Sequence, residues 1–504
     1  MQLDLKKLPF GQAYSRHLLF ETEEPQKGLF LGVASESSSM FAGVSARGAG
    51  LIRLTVLADG KEADWTAAAD VCAAQITAGT RKLCFAIDGP ALLLKGDVGL
   101  KMVVRLGFGE TVSRTQRGIE LNMGATRYVF DLRKGTADLQ VGWDLAGLHS
   151  TDPEITLTPE DGVLEAVLWD VDTNYIFPEI AGDAAAAAEK AKAAFEAFRA
   201  SLRGKDETYA YALWLNLQNQ RGADFVLGNK VGDIRVVAKN QALAALAMGP
   251  KGAFGLVCSA LGLMSATGLV PAWIKGNNTL PESAPPMWGL PLCRAFADGG
   301  IDAISKEELA DGYALLDKAV GWWVKNRSLA DGSFFYAYPY ESGWDGVPVL
   351  PFGQGAVAPD LAAWMALNAK VLELMARKLG LAAEAENWAA LAARQLEVLA
   401  GLWKNGAFVC RSVLTGEEVP CPAGISLLPL LLGDAAPDRA ALAAEAEAAC
   451  PKKLPFPLAG LIALESPALA GKLAELGGAV DDAPPAGAYD PLRCALLLAL
   501  EERS

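Results

Sequence analysis

Histidine is nearly absent from this chain of 504 residues: only His17 and His149 occur, both in the first third. A mechanism that needs a histidine base or a His-rich metal site is therefore excluded from the C-terminal two-thirds unless the N-terminal part reaches over. The eight cysteines form no CxxC pair, and several sit in apolar stretches such as Gly255-Leu256-Val257-Cys258. They read as free thiols used as small apolar residues in a reducing compartment. No apolar run approaches the length of a membrane span, and the first ten residues lack the apolar core of a signal peptide, so the expected location is cytoplasmic. Basic residues are outnumbered, 45 Lys and Arg against 59 Asp and Glu, and the formal charge of −14 speaks against nucleic acid, whose binding needs a cationic surface. No metal-ligand spacing appears and no cofactor is expected. A small neutral partner suits this balance, and oligomerisation is left open.

What is present is an ordinary globular composition, 52% hydrophobic and 21% charged, long enough for two domains. From Leu3 to about Tyr175 the chain is strand-like: Leu51 to Leu57, Met102 to Leu106 and Tyr128 to Leu132 are short, β-branched or aromatic, and bounded by turn residues. Ile155 to Thr158, then Pro159-Glu160-Asp161-Gly162, then Val163 to Trp169 reads as a hairpin. Strands at this spacing predict an antiparallel β-sandwich over 1–180. Composition changes abruptly at Ala181, where an Asp183 N-cap, an alanine run and a terminal glycine predict a helical connector over 181–204. Beyond Lys205 nearly every segment carries apolar residues at helical spacing, with Gly or Pro between helices. Paired antiparallel helices over 205–504 fit either an (α/α)6 toroid or an α-solenoid. The long, aromatic and polar linkers 269–286 and 331–359 favour the toroid, because solenoid turns do not build sites.

One stretch reads as a site: Tyr340-Glu341-Ser342-Gly343-Trp344-Asp345, between the aromatic run Phe334 to Tyr338 and a Pro/Gly-rich loop. Aromatic faces cover the apolar side of a pyranose, while carboxylates bind hydroxyls or protonate a glycosidic oxygen. Trp322-Trp323 at mid-helix reads as core, and Glu417-Glu418 as a solvated turn.

With these residues in view, the helical half resembles the inverting glycosidases that group trehalase, processing α-glucosidase I and mannosylglycerate hydrolase. Glu341 to Asp345 resembles their acid-bearing motif. Other blocks fall in the same order: Ala210 to Asn216, Ala238-Lys239-Asn240, Pro285-Pro286-Met287-Trp288-Gly289, Pro359-Asp360-Leu361, and Leu402 through Leu430. The resemblance covers roughly 205–435 and implies a β-sandwich followed by an (α/α)6 toroid, with Asp345 as general acid on a short, neutral, α-linked saccharide. It implies that Glu341, Trp344 and Asn240 shape the sugar subsite, with Trp214, Trp288, Tyr338 and Tyr340 as platforms. Trp344 and its aromatic neighbours are expected to keep Asp345 partly desolvated, as a protonated acid requires.

The chain also departs from that pattern. After Lys239-Asn240 the sugar-binding Trp-Asp pair of the family is absent, and the base glutamate near the C-terminus is replaced by Gly487-Ala488-Tyr489-Asp490-Pro491. Two readings follow. In one, the base comes from elsewhere, with Asp490, Glu282 and the pair Asp481-Asp482 as candidates. In the other, hydrolysis is lost and the toroid survives as a sugar-binding or assembly module. Epimerase or lyase chemistry on the same toroid is disfavoured by the missing histidines.

Overall fold

The computed structural model describes residues 1–22, 28–33, 52–106, 110–122, 127–144, 149–171, 177–180, 182–230, 235–275, 278–280, 282–344, 355–449, 454–477 and 490–501. Alternating burial organises the N-terminal part: Ile119 and Leu121 point inward from Gly118–Asn122, and Ile155 and Leu157 from Glu154–Thr158, while their neighbours face out. Among the described residues two antiparallel sheets result, one of nine strands and one of eight, stacked on a shared apolar core. The strand Ala91–Gly96 is an exception, with four consecutive buried residues. It is covered on one face by the sandwich core and on the other by α1 (Ala184–Ala200), whose Ala187 packs with Ala91, Leu93 and Trp169. Asp183 caps that helix, accepting from the Ala185 and Ala186 N–H groups at 3.1 and 3.0 Å.

The expected hairpin around residue 160 needs correction. Asp161 and Gly162 adopt φ of 51° and 72°, and Glu160 and Val163 exchange backbone hydrogen bonds, so the tight turn forms. Its two arms nevertheless diverge, Glu154–Thr158 joining the eight-stranded sheet and Leu164–Val171 the nine-stranded one. The turn is a crossing between layers, because each arm has its own inward face to bury.

The helical part begins with α2 (Glu207–Leu215), followed by α3 (Ala238–Ala245), α4 (Pro250–Leu261), α5 (Gly289–Phe296), α6 (Lys306–Asn326), α7 (Pro359–Leu379) and α8 (Ala382–Leu402). A 3-10 segment (Ile425–Ala435), α9 (Arg439–Ala449), α10 (Phe456–Ala463), α11 (Pro467–Gly477) and α12 (Pro491–Glu501) complete it. Packing closes a ring: α3 lies against α5, α5 against α7, α7 against the 3-10 segment, that segment against α10, α10 against α12, and α12 against α3. The remaining helices alternate with these in sequence and pack outside, α4 on α3 and α5, α6 and α8 on α7, α9 on the 3-10 segment, α11 on α10, and α2 on α12. This is the (α/α)6 toroid. Burial agrees, since α12 is buried almost throughout whereas outer α8 buries only Ala385, Gln395, Leu399 and Leu402.

Connections differ sharply between the two ends of the ring. Inner-to-outer turns are short, spanning 246–249, 380–381, 436–438 and 464–466, with 297–305 the longest. Outer-to-inner connections span 216–237, 262–288, 327–358 and 403–424, then 450–455 and 478–490. Short turns make successive helices antiparallel, so all inner members run the same way and the long connections gather at their N-terminal ends. One apolar cluster runs from the sandwich into the toroid. Across the junction Tyr211 accepts from the Gly11 N–H at 3.0 Å and donates to the Gly11 carbonyl at 2.9 Å, and the buried Lys230 ammonium donates to the Gln12 carbonyl at 2.9 Å.

Candidate active site

The candidate site lies where the long connections meet the N-termini of the inner helices. Glu341, in the short 3-10 turn Pro339–Ser342, is fully buried and fully engaged. Oε1 accepts from Arg327 Nε at 2.9 Å and from the Ser283 hydroxyl, and Oε2 accepts from the Ala337 N–H at 2.5 Å. Arg327 in turn lies 5.0 Å over the Trp322 ring and 5.9 Å from the Phe335 ring centroid. A buried charge is tolerated only when paired and hydrogen-bonded in this way. Glu341 therefore ties the connection before α5 to the one before α7, and both its oxygens are spoken for by the protein.

Gly343 follows with φ of 74°; a Cβ there would meet Pro285 Cγ at 2.8 Å and Lys239 Cδ at 3.0 Å, so only glycine fits. The Gly343 carbonyl accepts from Lys239 Nζ, and that ammonium lies 5.1 Å over the ring of the buried Trp344. Asp345, the expected general acid, lies outside the described residues, as do Asp481 and Asp482; of Tyr340 only the backbone is described.

Asp490 stands at the start of α12. Its carboxylate accepts from the Leu492 N–H at 2.9 Å; burial raises its pKa, with the Lys239 charge acting against that rise. Lys239 thus holds the Gly343-Trp344 segment. Glu282 is half-buried beside Tyr338, whose hydroxyl accepts from the Ser283 N–H at 2.8 Å. Burial raises the Tyr338 pKa, and Glu341 and Glu282 add to the rise. Asn240 occupies the first turn of α3, and Trp288 the residue before α5 with 1% exposure. These residues are brought to one end of the ring.

Trp214 is not among them. It packs in the domain junction, edge-on to Phe195 at 5.3 Å and tilted against Tyr211 at 5.8 Å. That environment makes it core between α1 and α2. Two further residues of the candidate site are not evident as functional ones from the sequence. Asp360, in the first turn of α7, is fully buried and accepts from the Tyr336 hydroxyl at 2.9 Å; burial pushes its carboxyl up to about 7. Lys239 is visible there only as part of a motif. Asp360 has a readable signal, a carboxylate in the otherwise apolar stretch 359–367 of an inner helix, whereas the partners of Lys239 are set by tertiary contact. Among the described residues no cluster of His, Cys, Asp and Glu could hold a metal ion, and no helix is long and apolar enough to cross a membrane. The described cysteines are all free thiols.

The structure is a β-sandwich joined to an (α/α)6 toroid, with Glu341, Asp360 and Trp344 buried at the N-terminal end of its inner helices. Residues 283–459 match the family model of the mannosylglycerate hydrolase MGH1-like glycoside hydrolase domain, which makes this part of the toroid a divergent relative of glycoside hydrolases. Among solved structures, the GH63 mannosylglycerate hydrolase from Thermus thermophilus in complex with Tris and D-glycerate is 16% identical, with a TM-score of 0.47, covering 58% of this chain and 98% of that one. The GH92 glycosyl hydrolase ccman5 is 12% identical with a TM-score of 0.49, covering 99% and 85% of the two chains. A bacterial glucoamylase complexed with acarbose is 9% identical with a TM-score of 0.45, covering 79% and 67%. No curated protein matches.

Proposed function

We propose that the protein is an inverting glycosidase acting on short, neutral, α-linked saccharides, with Asp345 as general acid and Asp490 as general base. In this mechanism the Asp345 carboxylic acid gives its proton to the glycosidic oxygen as the bond to the anomeric carbon breaks. A water molecule attacks that carbon from the opposite face and loses a proton to the Asp490 carboxylate, which requires the two carboxyl groups to stand about 6.5–9.5 Å apart. The observation that supports the reading is the glycoside hydrolase family-model match over 283–459, a stretch that includes Glu341 to Asp345 and belongs to the same end of the ring as Asp490 at the start of α12. Glu341, Ser283 and Arg327 then serve as a brace that fixes the acid loop, and Tyr338 borders the sugar; Trp288, expected as a platform, is fully buried and packs as core. Free thiols fit a reducing, cytoplasmic setting.

A second reading has one observation in its favour: the Asp490 carboxylate already caps α12 through Leu492. On that reading Asp490 is structural and the toroid binds sugar without cleaving it. A panel of α- and β-linked disaccharides, with the anomer of fresh product followed by NMR, separates the two. Hydrolysis with inversion, abolished in Asp345→Asn and reduced about 10²-fold or more in Asp490→Asn, is the expected outcome. Saturable binding without turnover of any substrate supports the binding module instead, and unchanged rates in Asp345→Asn sink the proposed acid.

A further inference from the structure

A cavity of about 550 Å³ lies outside the candidate active site, where Tyr14 of the sandwich, the end of α1 at Phe198, the hairpin Leu217–Gln220 with Ala223–Val226, and the outer face of α4 meet. Its volume falls in the range of small-molecule sites, about 300–1,000 Å³. Three features distinguish it from a packing defect. The first is its floor: α4 presents Gly252, Gly255 and Ser259 here, and a Cβ at Gly255 would meet nothing within 4 Å, so the space is kept open by the absence of a side chain. The second is an aromatic ring at its rim. Tyr14 is 47% exposed and held at φ of 63°, a conformation that a bulky residue adopts only under constraint. The constraint is visible in its bonds, since the Tyr14 N–H donates to the Leu217 carbonyl at 2.8 Å and its hydroxyl to Asp224 Oδ2 at 3.1 Å.

The third feature is the polar set. Asn219 Nδ2 donates to Asp224 Oδ1 at 3.0 Å, so the carboxylate carries one protein bond on each oxygen and keeps lone pairs for a ligand hydroxyl. Among the described residues Asp224 is the one charged side chain lining the cavity, which disfavours an anionic ligand. Phe198, Leu217 and Leu256 supply apolar wall. One aromatic face, apolar flanks and a carboxylate-amide pair match the two-sided surface of a pyranose, apolar on its C–H face and hydroxylated on its rim.

We infer that this cavity is a second, non-catalytic binding site for a neutral saccharide, with the Tyr14 ring as platform and Asp224 and Asn219 as hydroxyl partners. It is independent of the candidate active site, because α4 is an outer helix and the rim comes from the sandwich. The hairpin that forms one wall is anchored at α3, where Gln241 Oε1 accepts from the Val226 N–H and Gln241 Nε2 donates to the Val226 carbonyl, both at 2.8 Å.

The test uses the full chain with maltotriose, cellotriose and α-mannobiose as probes, followed by calorimetric titration and saturation-transfer NMR. Gly255→Trp fills the cavity where there is room for a side chain, so it leaves thermal unfolding unchanged and serves as a folded blocking variant; Tyr14→Ala removes the platform. The expected result is binding of at least one probe to wild type and to Asp345→Asn, weakened about tenfold or more by Gly255→Trp and by Tyr14→Ala. Affinity unmoved by both variants, or no binding of any of the three probes, overturns the inference. Because the readout is affinity, failure here is distinct from failure of the hydrolysis panel.

Discussion

Two fully buried ionisable residues respond to pH in opposite directions. Asp360 has its pKa raised to about 7, by burial first, so between its unfolded value near 4 and pH 7 the folded state holds a proton that the unfolded state has lost. Stability therefore falls as pH rises through that window, by on the order of 4 kcal/mol. Lys230 has its pKa lowered by burial to about 7, so between pH 7 and its unfolded value near 10.4 the unfolded state holds the extra proton and stability rises again. Denaturant unfolding across pH 4.5–10 should give a minimum near neutrality. Asp360→Asn removes the descending limb and Lys230→Met the ascending one; a profile unaltered by either substitution contradicts the assignment. Lys230 was not legible as ionisable core in the sequence, because nothing local to it says that the sandwich will cover it. The Glu341-to-Trp344 motif stands out in the sequence, but not the bracing role of Glu341, which depends on Arg327, fourteen residues back, and Ser283, from the connection before α5.

Close approach of helices governs the ring. At Gly289 an added Cβ would meet the backbone of α7, Asn368 N at 2.4 Å and the Leu367 carbonyl carbon at 2.5 Å, so α5 and α7 can touch only because that residue is glycine. Backbone cannot rotate aside as a side chain can. Gly289→Ala should therefore cost about 2 kcal/mol or more in denaturant unfolding, although alanine is the better helix former. Gly255→Ala, facing open space, should be neutral or slightly stabilising by the same measure. Most helices were legible from periodicity: apolar spacing predicts helices over 306–324, 360–379 and 382–403, and Lys306–Asn326, Pro359–Leu379 and Ala382–Leu402 begin and end within two residues of those bounds. Ile425–Ala435 and Phe456–Ala463 were not, since inner members are apolar on every side and carry no period, and Pro429 within the first reads as a break. Apolar spacing predicts a helix over Tyr209 to Gln220; instead α2 ends at Leu215 and the chain enters a strand at Leu217, where the Asn219-to-Asp224 region turns back as a hairpin.

Sandwich and toroid share one apolar cluster, so the molecule should unfold in a single transition despite its length. Tyr211→Phe tests this: it leaves the Gly11 amide and carbonyl without their buried partner and should lower stability by about 1–3 kcal/mol, with both domains losing structure together by circular dichroism and tryptophan fluorescence. Two separate transitions in wild type would show the junction to be weaker than its packing implies. The helix Ala184–Ala200 was legible from composition, but the continuity of the core on either side of it was not. The shared direction of the inner helices has an electrostatic consequence. Their peptide dipoles all point positive ends at the candidate site, each equivalent to about half a positive charge. Inside a chain whose formal charge is −14, that end of the ring is thus a local inversion of the protein's field. Carboxylates placed there, Asp360 and Asp490 among them, sit in a part of an acidic molecule where backbone orientation alone favours negative charge.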